Sequence, residues 1–239
     1  MAYVGSLSLL FATLLMAEIY GEITENYSII WLSKPLLMPV LLLLVFLNGH
    51  HNLSAERFCL VISLISSCIG DILLMQRRNH LFVFGLVSFL IAHISYVISF
   101  VVRLRHEGPE LRRRLTISAM IVAMVPFLAY IALMLYVLCP KLQVDRDETK
   151  GLLLPVVFYI FIIVGMAYIS YLRDQKLPGF WSVFIGAVFF VLSDTILAFN
   201  RFVIQIPVAG LFVMFTYGLG QYLITIGTLQ ITTKHWKTS

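Results

Sequence analysis

Apolar residues in this chain gather into eight blocks, at about 4–20, 29–47, 58–75, 81–102, 115–138, 152–172, 180–199 and 208–230, each closed by a short polar connector. All but the first reach about 18 residues, the length a helix needs to cross roughly 30 Å of hydrocarbon. No block alternates apolar and polar positions as a barrel strand would, and an open strand in lipid leaves its backbone groups unsatisfied. The pattern therefore predicts an all-α polytopic membrane helical bundle of about eight transmembrane helices, forming a single integral membrane domain over 1–239. The first block carries Glu18 and follows no basic stretch, so it reads as a retained span rather than a cleaved leader.

Composition agrees with lipid as the solvent. Hydrophobic residues make up 60% of the chain, charged residues 12%, and the mean hydropathy is +0.95. A water-soluble core of this size needs a more polar exterior. The net charge of +5 does not point to nucleic acid, because the basic residues flank the blocks, as Arg103, Arg105, Arg112, Arg113 and Arg114 do. Counting Lys and Arg by side gives ten on the side of the termini and seven on the other, which favours cytoplasmic termini. The three cysteines, Cys59, Cys68 and Cys139, lie in or beside apolar segments and suggest small packed side chains, not a disulfide framework.

Two blocks echo each other. The third reads Gly70-Asp71-Ile72-Leu73-Leu74 and the seventh Ser193-Asp194-Thr195-Ile196-Leu197, four spans apart and so running in the same direction. A four-plus-four parallel internal repeat is the expectation this raises.

Ionisable groups inside a span cost roughly 2.5–3.5 kcal/mol each, so they face the bundle interior with a partner or a purpose. Here they are Glu18, Lys34, Asp71, His93, Asp194 and, near an end, Arg201. At 1.5 Å per residue, Asp71 and Asp194 both fall about 20 Å from the side of the termini, with Glu18, Lys34 and Arg201 toward the same far side. One polar cavity opening away from the termini is expected. The alternative is a pair of buried ion pairs, Asp71 with Lys34 or Asp194 with Arg201. His93 and Tyr96 share a face of the fourth span, and Tyr217 and Gln221 lie one turn apart in the eighth. Only His93 among the histidines is in mid-span, so no metal site is expected. No nucleophile elbow is present for acyl-enzyme chemistry. A proton-coupled or small-molecule transporter using the same aspartates is the rival reading.

The motifs resemble those of the YhhN-like lysoplasmalogenases, a family of eight-span membrane proteins. They are Ser33-Lys34-Pro35-Leu36, then Gly70-Asp71-Ile72-Leu73-Leu74, the run from Phe82 to Gly85 leading into Ala92-His93-Ile94-Ser95-Tyr96, then Phe189-Phe190-Val191-Leu192-Ser193-Asp194, Leu197-Ala198-Phe199-Asn200-Arg201-Phe202, and Thr216-Tyr217 with Gln221. One departure is Gly218, where the family usually shows a second tyrosine. The acidic stretch around Glu22 and Glu25 has no counterpart among these motifs.

The resemblance implies hydrolysis of the vinyl ether bond of a lysoplasmalogen with a choline or ethanolamine head group, releasing a fatty aldehyde and a glycerophospho-amine. It also implies an endoplasmic reticulum membrane location in an animal. Such chemistry protonates an alkenyl carbon and captures the resulting oxocarbenium ion with water, so it calls for one protonated and one ionised carboxyl, as in glycoside hydrolysis. Asp71 and Asp194 are the expected catalytic pair, with no cofactor. Lys34 and Arg201 would attract the head-group phosphate, while His93, Tyr96, Ser193, Asn200, Tyr217 and Gln221 shape the substrate site. Phe189, Phe190 and Phe199 would line the path of the hydrocarbon tail.

Overall fold

Each apolar block folds as one long helix. The computed structural model describes residues 2–48, 55–76, 79–106, 116–143 and 151–235. The helices are α1 (Ala2–Thr24), α2 (Tyr27–Asn48), α3 (Ala55–Met75), α4 (Asn79–His106), α5 (Ile117–Leu142), α6 (Leu153–Leu172), α7 (Phe180–Phe202) and α8 (Ala209–His235). All eight are long and apolar enough to span a membrane, and among the described residues there are no strands. The protein is an integral, multi-pass membrane protein. The connector residues Arg77, Arg78, Arg112, Arg113, Arg114, Arg146, Lys150 and Lys237, on which the orientation count partly rests, lie outside the described residues, as do His50 and His51 and the side chains of His80, His106, Lys234 and His235.

Proline inside helices is tolerated here at Pro35 and Pro39 of α2 and at Pro126 and Pro140 of α5. In a bundle, neighbouring side chains can take up carbonyls that proline leaves free, and Cys68 Sγ lies 3.7 Å from the Pro35 carbonyl oxygen.

Consecutive helices other than α4 and α5 pack side by side, most extensively α3 on α4 and α7 on α8, and the bundle closes through α1 on α8 and α4 on α6. Small residues make the closest seams. A Cβ built on Gly186 of α7 would lie 2.8 Å from the Gly220 carbonyl oxygen of α8, and one on Gly220 would lie 2.9 Å from the Gly186 oxygen. Here backbone rests on backbone, the approach that small residues allow between membrane helices. At the start of α7, Gly179 adopts φ +82, and a Cβ there would run into the Gly227 oxygen at 2.2 Å.

The helix α5 is the least enclosed, touching α6 and α7 and exposing Ile121, Val122, Leu133 and Tyr136 outward. With lipid as solvent such a surface is a boundary, not an adhesive patch. The packing leaves the expected repeat unestablished. The pairs α1–α2, α2–α3 and α3–α4 recur as α5–α6, α6–α7 and α7–α8, but α1 packs on α8 while α4 and α5 form no comparable contact.

Candidate active site

Asp71 ends a polar face of α3 whose other members are Ser63 and Ser67, all of them buried. The Tyr217 hydroxyl of α8 donates to Asp71 Oδ2 at 2.7 Å. One turn deeper along the same seam, Tyr96 of α4 donates to Gln221 Oε1 at 2.5 Å, and Gln221 Nε2 donates to Ser67 Oγ at 2.9 Å. This ladder joins α3, α4 and α8, and every polar side chain in it has a partner, as burial requires.

Asp194 is served from the other side. The Tyr159 hydroxyl of α6 donates to Asp194 Oδ2, and His93 Nε2 of α4 lies 2.8 Å from the same hydroxyl and 3.4 Å from Asp194 Oδ2. Donor and acceptor accounting assigns the proton: the phenol gives its hydrogen to the carboxylate, so its oxygen accepts from Nε2–H. That tautomer leaves His93 Nδ1 with a lone pair. Nδ1 is buried and makes no hydrogen bond.

Phe190 of α7 stands between the two clusters, its ring centroid 4.6 Å from that of His93 and 5.3 Å from that of Tyr217. Through Phe190 the group of Asp71 with Tyr217 and the group of Asp194 with Tyr159 and His93 share one aromatic contact.

A cavity of about 60 Å³ meets Asp194 and Tyr159. Its walls are otherwise aliphatic or aromatic, including Phe82 and Phe89 of α4, Met134 and Leu138 of α5, and Ala198 and Phe202 of α7. This differs from the expected polar cavity shared by both aspartates. The polar groups have bonded to one another, and Asp71 is not in the wall. Phe89, which is, packs edge-on against Tyr217 and fills the space over Gly70, where a Cβ would meet its ring at 2.6 Å. Phe189 and Phe199, expected along the tail path, each lie five residues from Asp194, about 140° round the helix, and Phe190 is core; the phenylalanines in the cavity wall are Phe82, Phe89 and Phe202.

The remaining expected residues divide. Lys34 forms its ion pairs with Glu18 at 3.8 Å and Glu22 at 3.9 Å rather than with Asp71, although its charge reaches that carboxyl. Arg201 is exposed at the end of α7 with its guanidinium carbon 5.2 Å from the ring centroid of Phe82, a residue of the cavity wall. Ser193 Oγ donates to the Val213 carbonyl and stitches α7 to α8. Asn200 Oδ1 accepts from the Ile206 backbone N–H and shapes the α7–α8 turn. Gly218 faces α1, where a Cβ would meet Leu15 at 2.5 Å, so this departure from the family pattern bears on packing and not on the cavity.

Tyr159 was not among the expected site residues. A phenol in a span as apolar as α6 needs a partner for its hydroxyl, and that need was the available signal. Among the described residues, no group of three or more His, Cys, Asp or Glu side chains could hold a metal ion.

Fold and site together define a class: a polytopic helical membrane protein with two carboxyl groups held by tyrosines inside the bundle. The chain belongs to the YhhN family, which it matches over residues 29–228. It is similar to a protein named lysoplasmalogenase from Mycobacterium tuberculosis, with 30% identity over 178 residues that cover 74% of this chain and 62% of that one. It is also similar to lysoplasmalogenase TMEM86B of Mus musculus (29% over 192 residues, 80% and 73%) and lysoplasmalogenase TMEM86A of Homo sapiens (24% over 202 residues, 81% and 76%). The match thus spans less than two thirds of the mycobacterial protein. No solved structure matches the chain.

Proposed function

We propose that this protein is a lysoplasmalogenase, which adds water across the vinyl ether bond of a lysoplasmalogen and releases a fatty aldehyde and a glycerophospho-amine. The observation that carries the reading is a carboxyl group, Asp194, set with Tyr159 into the wall of an otherwise apolar cavity of about 60 Å³. Such a cavity admits the first carbons of a hydrocarbon tail and presents them to a proton donor. The family membership and the names of the relatives support it.

Asp194 is the group that touches the reacting atoms. Its Oδ2 is occupied by Tyr159 and His93, which leaves Oδ1 for the substrate. Oδ1 delivers a proton to the alkenyl carbon one removed from the ether oxygen, and the positive charge falls on the carbon bonded to that oxygen. Water adds to this carbon and loses its proton. The resulting hemiacetal then breaks to aldehyde and glycerol hydroxyl, so one water is consumed and the acid is regenerated. Asp71, held by Tyr217, steadies the cation from behind the aromatic wall. Asp194 Oδ1, left ionised by the first step, takes the proton that the captured water loses, while His93 and Tyr159 hold Oδ2 and keep the carboxyl oriented. Arg201, over the Phe82 ring of the cavity wall, is the cation this reading gives to the phosphate.

The test is aldehyde release by the purified full-length protein from a lysoplasmalogen in detergent. One aldehyde per glycerophospho-amine is expected. Absence of aldehyde, with binding or transport of the lipid retained in vesicles, overturns the reading.

A further inference from the structure

The Asp194 cavity, at about 60 Å³, has room for the first carbons of a tail and no more. A second cavity, of about 350 Å³, lies between the same three helices, α5, α6 and α7. The two are set end to end. On α6, Ile163 lines the first and its neighbour Val164 the second; on α7, Asp194 lines the first and Thr195 the second. Along α5 the wall passes from Phe127 and Tyr130 in the second cavity to Met134 and Leu138 in the first, in steps of three and four that keep to one helix face. Along α7 it passes in the same way from Val191 and Thr195 to Ala198 and Phe202. The cavities are thus two parts of one groove.

Tyr130 and Thr195 stand where the parts meet, and their hydroxyls are hydrogen-bonded across the groove. Thr195 Oγ1 gives its hydrogen to the Val191 carbonyl at 2.6 Å, so the phenol is the donor of the pair. The bond ties α5 to α7, which it otherwise touches lightly, and the rest of the second cavity's wall is apolar. On its open side the groove faces lipid: Val188 and Leu192 in its wall are each 44% exposed.

We infer that this α5–α6–α7 groove is the hydrocarbon-tail site, holding the alkenyl chain of a single-tailed lipid from Asp194 inward to the middle of the membrane. The inference rests on the reading of the protein as a lysoplasmalogenase, because it places the tail of that same substrate.

Length favours this occupant. At 1.5 Å per residue the wall from Phe127 to Leu138 runs about 17 Å, against roughly 15 Å for one leaflet's half of the hydrocarbon core. Phe127 lies about 15 Å along α5 from Ile117, at the middle of that core. A lipid whose head sits at the face away from the termini therefore brings its first carbons to Asp194 and its methyl end to the second cavity. The opening between Val188 and Leu192 lets the tail enter sideways from the bilayer, without leaving hydrocarbon.

Two readouts on the full-length protein in nanodiscs test this, each taken as the ratio of variant to wild type at one tail length, so that partition into the bilayer cancels. The first is kcat/KM for alkenyl-glycerophosphoethanolamines from octenyl to octadecenyl. Val188→Trp, which fills the mid-membrane end from a lipid-exposed position, is expected to lower the octadecenyl value at least about tenfold and to leave the octenyl value within about twofold. Leu192→Trp, one turn nearer Asp194, should extend the loss to shorter tails. Val122→Trp, on the outward face of α5 and off the groove, is the control and should change neither. The second readout is binding of saturated lysophosphatidylethanolamines of the same lengths, which have no vinyl ether to cleave, with the same expected pattern. If both groove variants alter all lengths equally, or none, the groove holds bulk lipid only and the tail site is overturned. A length-dependent change in binding without any aldehyde release keeps the tail site and overturns the lysoplasmalogenase reading instead.

Discussion

Tyr217 donates a 2.7 Å hydrogen bond to Asp71 across 146 residues of chain, pinning α8 to α3 at the depth of the buried carboxyls. Asp194 is held in the same manner by Tyr159, which pins α6 to α7. The two tyrosines differ in what surrounds them. Tyr159 opens onto the cavity and touches His93, whereas Tyr217 is sealed behind Phe89. Each contrast gives a measurable expectation.

Asp71→Asn and Asp194→Asn each remove a proton-transferring or charge-stabilising group while keeping shape. Turnover of lysoplasmalogen is expected to fall about a hundredfold or more in each, with expression and the thermal midpoint in detergent near wild type. A variant that retains most of its activity shows that its carboxyl is dispensable and that the two-carboxylate mechanism is wrong. A chelator is expected to leave the wild-type rate unchanged, and zinc-restored loss would contradict the metal-free chemistry.

Tyr159→Phe deletes one hydroxyl between His93 and Asp194. A hydrogen bond to a charged group contributes about 1.5–3 kcal/mol, so kcat is expected to drop about tenfold to a hundredfold. The same change at Tyr217 should lower thermal stability more than it lowers turnover, because that phenol is buried away from the cavity. Steady-state kinetics alongside melting curves separate the two, and an inverted order would show that Asp71, not Asp194, meets the substrate.

Ala198→Phe fills the cavity from the α7 side. The expected result is a KM raised about tenfold or more for long and short alkenyl chains alike, since a hydrophobic pocket discriminates mainly by the carbon it accommodates and this one admits the first carbons that all chains share. A chain-length series of substrates checks this. A loss confined to long chains would place the first carbons elsewhere.

Gly186→Ala puts a methyl group against the Gly220 carbonyl oxygen and the Ile224 nitrogen, both within 2.9 Å. Backbone cannot yield as a side chain can, and overpacking of this kind costs about 1–3 kcal/mol. The thermal midpoint in detergent is expected to fall by several degrees. Gly165→Ala, where a Cβ meets nothing within 4 Å, is the control and should leave it unchanged.

Hydrophobic block lengths were enough to read the eight spans, because lipid leaves a chain few options: Asp71, His93 and Asp194 stand out as charges with nowhere else to go. The structure brings these three into linked clusters around Phe190. What the sequence did not disclose is which face of each helix meets which neighbour. Depth alone sets Lys34 beside Asp71, whereas α1 supplies Glu18 and Glu22 as its ion-pair partners. Tyr159 gives no periodic signal in its apolar span; only its hydroxyl's need for a partner sets it apart. Asn200 and Ser193 sit beside site residues in the sequence, yet their hydrogen bonds go to backbone, at the Ile206 N–H and the Val213 carbonyl. Adjacency in sequence is not adjacency around a helix. Even the matched aspartates, four spans apart, take their tyrosines from α8 and α6, which are not two positions that a four-plus-four repeat makes equivalent.

Where Gly186 meets Gly220, main chain leans on main chain, and the thickness of that joint is independent of any rotamer. Asp194 and Tyr217 therefore ride on two rods at a fixed gauge. Side chains turned toward the bilayer are free to drift over generations while the rods keep the reactive groups in register, which suits a protein whose relatives differ from it at most positions.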